Sequence, residues 1–130
     1  AKKAISKVLK GNALGKIGKF GIKEEVIIAR GSHLDLLSKS GQVLDRNGLT
    51  RAGRALDKHG GRPGSIFPKA TGNSVNKNMQ GQYHLDDILT HPQGSSKSNR
   101  FGGLDYYKPD GSGARFYNDG TFRGFLEPNS

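Results

Sequence analysis

The chain has 130 residues, 32% of them hydrophobic, with 20 Gly, no Cys and a formal charge of +10. That excludes disulfide staples, thiol nucleophiles and cysteine zinc sites, and no apolar run approaches the roughly 20 residues of a membrane helix. So basic a chain points to a polyanion (nucleic acid, an anionic membrane or an acidic protein), the bland alternative being a well-solvated basic surface.

Residues 1–42 read as a basic N-terminal segment. Opening on Ala1 rather than Met, and lacking the apolar stretch of a secretory signal, the chain is expected to be a piece of a longer protein. Residues 1–50 hold ten Lys/Arg against four Asp/Glu, or +6 of the total. Ala4, Ile5, Val8 and Leu9 recur at helical spacing opposite Lys2, Lys3, Lys7 and Lys10, after which Gly11, Gly15, Gly18 and Gly21 interrupt any long helix. Val26–Ala29 suits a short strand and His33–Lys39 a helical turn or two.

Residues 43–130 read as one compact domain. Asn47 or Thr50 can cap a helix running to about Lys58, with Leu49, Ala52 and Leu56 on one face. His59-Gly60-Gly61 ends it, glycine tolerating the left-handed turn after a helix. Arg62–Gly72 is a loop marked by Pro63, Gly64 and Pro68. Asn73 caps a second helix, about Ser74–Leu89, with Val75, Met79, Leu85, Ile88 and Leu89 as core candidates, and His91-Pro92 stops it. Gln93–Asn99 is a polar loop. Arg100–Gly103, Leu104–Lys108, Ala114–Tyr117 and Thr121–Phe125 then alternate as short antiparallel strands, with turn signals at Asp110-Gly111 and Asn118-Asp119-Gly120. The fold class is α+β: N-terminal helices packed on a small antiparallel sheet of about four strands.

The last hairpin is the most informative stretch. A three-residue loop at Asn118-Asp119-Gly120 sets Tyr117 opposite Thr121 and Arg115 opposite Arg123 on one face, while Ala114, Phe116 and Phe122 turn to the helices. Two opposed arginines repel, and a phosphate between them would convert repulsion into a shared site. The alternative is that they splay into solvent, or that one pairs with Asp105. His59, at the end of a helix beside the Gly-Gly-Arg-Pro loop, is the histidine placed to move a proton. Arg54, Lys58, Arg62 and Lys69 surround it as a phosphate-contacting rim, or as an ordinary solvated face. Asp86-Asp87 has no His–Cys or His–His spacing beside it, and no phosphate loop, dinucleotide fingerprint or Gly-x-Ser-x-Gly is found.

The blocks LTRAGRALDKHGGRPGSIFP, GN…NMQGQ…LDDIL and FGG…PDGSGARFYNDGTFRGFLEP together resemble a C-terminal toxin module. Such modules end contact-dependent inhibition proteins, filamentous haemagglutinin-like proteins and other polymorphic bacterial toxins. The resemblance covers roughly Val43–Pro128 and implies a ribonuclease toxin of the barnase, EndoU, nuclease-colicin and RelE type, cleaving RNA, often tRNA, on the open face of the sheet. It implies that His59, Arg115, Tyr117, Thr121 and Arg123 are catalytic; from the residues themselves, Arg54, Lys58, Arg62 and Lys69 are expected to bind substrate, with no cofactor or metal. The reaction expected is transesterification to a 2′,3′-cyclic phosphate, with the identities of acid and base left open. Residues 1–42 would be a linker or the remainder of an entry region. The implied partners are RNA and a cognate acidic immunity protein, for a monomeric toxin without stable membrane insertion. It would be delivered within a larger secreted or cell-surface protein and act in the target-cell cytoplasm. The alternatives are a DNA-cleaving toxin and a non-catalytic RNA-binding module.

Overall fold

A computed structural model describes residues 33–128. The readings made for residues 1–32 lie outside this range. The compact unit begins at Leu34, within a helix over residues 33–41 that we call α1. This helix falls before the boundary expected at residues 42/43, yet Leu37 is part of the hydrophobic core. Ser40 Oγ also accepts a hydrogen bond from the Phe122 amide at 2.7 Å.

A two-stranded hairpin follows, β1 (Leu44–Arg46) and β2 (Leu49–Thr50). Its turn is Asn47-Gly48, both residues at positive φ (57° and 76°), the backbone that tight hairpins demand. Asn47 is therefore a turn residue, and Thr50 is the cap of the next helix, α2 (Arg51–Gly60), its Oγ1 accepting from the Gly53 amide. Helix α3 (Ser74–Thr90) opens with a reciprocal capping box between Asn73 and Asn76. The two helices approach closely because both contact residues are glycine. A Cβ on Gly81 would strike the Ala52 carbonyl, and one on Gly53 would lie 2.9 Å from the Asn78 Cα.

Strands β3 (Ser95–Ser98), β4 (Leu104–Tyr107), β5 (Gly113–Phe116) and β6 (Phe122–Leu126) form an antiparallel meander in that order. Together with the helices this is the α+β architecture expected. Ala52, Leu56, Leu85, Ile88 and Leu89 from the helices meet Ala114, Phe116, Phe122 and Phe125 from the sheet, with Phe67 and Ala70 of the intervening loop closing the core. Among the described residues, no helix is long and apolar enough to cross a membrane.

Four local expectations are corrected. The first strand is Ser95–Ser98, all exposed, rather than Arg100–Gly103, which forms a turn. Val75 and Met79 are 62% and 67% exposed rather than core. Gly61 closes α2 at φ −83°, without a left-handed turn. Its neighbour Gly60 is tied to close packing, since a Cβ there would sit 2.8 Å from the Lys69 Cα. Finally, β5 and β6 pair with a bulge: Phe116 faces Phe122, but Arg115 faces Gly124, leaving Arg123 as the extra residue.

Candidate active site

A cleft of about 550 Å³ opens where the last turns of α2 meet β6 and the β5–β6 turn. From α2 and its end it takes Arg51, Arg54, Lys58, His59 and Arg62, and from the hairpin Tyr117, Thr121 and Arg123. Five of the lining side chains are basic, against one carboxylate, Asp45. A cleft lined by one sign of charge focuses the field on an anionic ligand.

His59 is held there by a partner 68 residues away. Its Nδ1 lies 2.9 Å from Glu127 Oε2, just beyond β6. The same oxygen accepts from Ser65 Oγ at 2.7 Å, and Glu127 Oε1 accepts from the Ile66 amide at 3.0 Å. Burial alone would push the Glu127 carboxyl up. The hydrogen bonds from Ser65, Ile66 and His59 outweigh it and hold the group below its ordinary value. An ionised carboxylate only accepts hydrogen bonds, so Nδ1 carries a proton, and in the neutral ring that tautomer leaves the lone pair on Nε2. The ring is only 12% exposed and is fixed edge-on against Phe67 and Phe125, at centroid separations of 5.8 and 6.4 Å. Position and tautomer are thus set before any ligand arrives.

The arginine pair is resolved differently from the expectation of two residues directly opposed. Arg115 makes a bidentate pair with Asp105, Nε to Oδ1 and Nη2 to Oδ2, both at 2.8 Å. Asp105 is 1% exposed and also accepts from Asn99 Nδ2 and the Tyr107 hydroxyl. Burial would raise its carboxyl, but the Arg115 and Asn99 hydrogen bonds and the Arg115 charge bring it below its ordinary value. Arg115 is therefore committed to the sheet and does not line the cleft, whereas Arg123, freed by the bulge, does. Lys69 is exposed on the loop and is also outside the lining. Arg54 lines the cleft while pairing with Asp45 at 3.0 Å.

The expected residues brought together are thus His59, Tyr117, Thr121, Arg123, Arg54, Lys58 and Arg62. Glu127, Ser65 and Arg51 were not anticipated. The available signal for Glu127 was an acid directly after an apolar strand end, Phe125-Leu126. Among the described residues, no group of three or more His, Cys, Asp or Glu is arranged to hold a metal ion.

The family model for the CdiA C-terminal tRNase toxin domain matches residues 37–127. The chain belongs to the CdiA C-terminal tRNase toxin domain family. It is accordingly a tRNA-cleaving toxin domain, an endoribonuclease, as the sequence resemblance implied. Among solved structures it is similar to the toxic C-terminal tip of CdiA from Pseudomonas aeruginosa in complex with immune protein. The two share 34% sequence identity at a TM-score of 0.56, over 68% of this chain and 98% of that one. A search of curated proteins returned no match. The span matched by the CdiA tRNase family runs from α1 to Glu127, so it takes in both members of the His59–Glu127 pair.

Proposed function

We propose that this CdiA tRNase domain cleaves tRNA by metal-independent transesterification in the cleft beside His59. The observation that supports the reading is an imidazole oriented by a carboxylate among basic side chains. Lys58, Arg62 and Arg54 draw in the phosphodiester backbone. His59 Nε2 takes the proton from a ribose 2′-hydroxyl, whose oxygen attacks the adjacent phosphorus. The P–O5′ bond breaks, leaving a 2′,3′-cyclic phosphate and a 5′-hydroxyl that takes its proton from water. Arg123 stabilises the charge that builds on the phosphoryl oxygens, and Tyr117 and Thr121 position the substrate with hydrogen bonds. Glu127 is a positioning residue, fixing the tautomer and stabilising the imidazolium that forms.

The toxin is delivered as part of a larger secreted or cell-surface protein and acts, as a monomer, in the target-cell cytoplasm. In the producing cell a cognate acidic immunity protein covers the cleft. The positive lining and the complex of the P. aeruginosa CdiA tip with an immune protein support that partner, and salt should weaken the association. The deciding experiment is cleavage of tRNA in EDTA with analysis of the ends. Cyclic phosphate termini are expected. Activity only with added divalent metal, or a preference for plasmid DNA, overturns the reading.

A further inference from the structure

Phe101, in the turn between β3 and β4, collects three guanidinium groups. The Cζ atoms of Arg123, Arg100 and Arg115 lie 4.8, 5.1 and 5.6 Å from its ring centroid. Each contact is a cation–π attraction, yet three like charges around one ring repel. Arg115 is neutralised by Asp105. Among the described residues, neither Arg100 nor Arg123 has a carboxylate partner.

The turn that carries Arg100 and Phe101 is built to stay in place. Asn99 Oδ1 accepts from the amides of Phe101 and Gly103 at 2.9 and 3.1 Å, while its Nδ2 donates to Asp105 and to the Phe116 carbonyl. Gly102 takes φ +79°, and at Gly103 the turn presses so close to β5 that a Cβ would lie 2.6 Å from the Tyr117 carbonyl carbon. These bonds tie the turn to the Asp105–Arg115 pair and to the strand ahead of Tyr117. Tyr117 packs edge-on against Phe101 at 5.6 Å and remains 40% exposed. Arg123 and Tyr117 are shared with the cleft, so the cationic surface continues from His59 across Tyr117 to Arg100.

We propose that Arg100, Phe101, Tyr117 and Arg123 form a second RNA subsite, taking the phosphate and base of a nucleotide adjacent to the cleaved bond. Arg100 takes this phosphate while Arg123 holds the scissile one beside it, so each cation gains an anion and their mutual repulsion is relieved, and the exposed Tyr117 ring stacks on the base. Phe101 is the scaffold: its faces already carry guanidinium groups, so it places the arginines and does not stack on RNA itself. The subsite rests on the proposed cleavage at His59, and it adds a reason for substrate to lie in one direction along the cleft.

The test is equilibrium binding of a 2′-O-methylated single-stranded RNA, which has no free 2′-hydroxyl to attack, across a range of salt concentrations. Arg100→Ala should weaken binding about tenfold and shrink the slope of log affinity against log salt by about 0.7, the share of one phosphate contact on a single strand. Arg100→Lys should restore the slope while recovering only part of the affinity, because a point charge replaces the planar fork. Lys97→Ala, on the exposed strand β3 and absent from the cleft lining, is the control and should match wild type. Unchanged affinity and slope in Arg100→Ala overturns the subsite, as does an equal loss in Lys97→Ala, which would mean bulk charge alone. Failure of the underlying reading looks different: His59→Ala would cleave tRNA at the wild-type rate, whatever Arg100 does to binding.

Discussion

Asp105 and Glu127 are both carboxylates drawn out of water and both held ionised by hydrogen bonds, yet they belong to different kinds of site. Asp105 pairs with Arg115, whose charge is permanent, and its other partners, Asn99 and Tyr107, are neutral and carry no proton to exchange near pH 7. The result is a strut, joining β4, β5 and the β3–β4 turn. Glu127 pairs with His59, whose imidazole is a proton-transfer group, and the pair faces a basic cleft. A buried ion pair holds the fold when neither partner can give up its charge. It becomes chemistry when one partner can, and a substrate can reach it.

The largest effect that would break this contrast falls on the cleft. His59→Ala should lower single-turnover cleavage of tRNA per folded molecule by about 10²–10⁴-fold, the scale of a general base. Arg123→Ala should cost about 10²-fold in the same assay, as loss of one transition-state donor does. Wild-type rates in either variant would remove it from the site.

On the strut, the sign is opposite to that expected for two facing arginines. Arg115→Ala does not relieve a repulsion; it strands Asp105 without its counter-charge. A loss of about 3 kcal/mol is expected, or a fall of about 10 °C or more in Tm for a domain of this size. Thermal melting checks it, and an unchanged or higher Tm would show that the pair contributes nothing.

The smallest effect sharpens the comparison through pH. Both carboxyls sit below their ordinary values of 3.8 and 4.5 in the folded chain. Between folded and unfolded pKa the unfolded chain binds more protons, so stability rises with pH there. The contribution is complete above the ordinary values and is lost as pH falls through the folded ones. Urea midpoints measured from pH 6 downward should fall steeply below about pH 4.5 in wild type and less steeply in Glu127→Gln. Parallel curves would contradict the linkage.

How much of this was legible in the sequence follows from where the determining interactions lie. Both long helices could be read because their caps and stops, Thr50, Asn73 and His91-Pro92, are local. The last hairpin was legible as far as Phe116 opposite Phe122. Beyond that, the bulge at Arg123 shifted the pairing, and only the flanking Gly124 hinted at it. Strand β3 could not be read because Ser95–Ser98 is exposed throughout and carries no alternation; backbone pairing with β4 alone defines it. The Asn47-Gly48 pair is a hairpin signal in the sequence, but Asn47 was read only as a helix cap. Within the site, His59 and its basic neighbours were visible as a cluster around one helix end. Glu127 was not, since only the packing of β6 on α2 brings it to His59.

The claim that the carboxylate–histidine pair is reactive while the carboxylate–arginine pair is structural is tested most directly by single-turnover tRNA cleavage in EDTA, per folded molecule, for Glu127→Gln beside Arg115→Ala. The account predicts that Glu127→Gln loses about 10²-fold or more, since its histidine no longer has a fixed tautomer, while Arg115→Ala stays within roughly threefold of wild type despite melting lower. A folded Arg115→Ala that is inactive, beside a Glu127→Gln that cleaves at the wild-type rate, would contradict it.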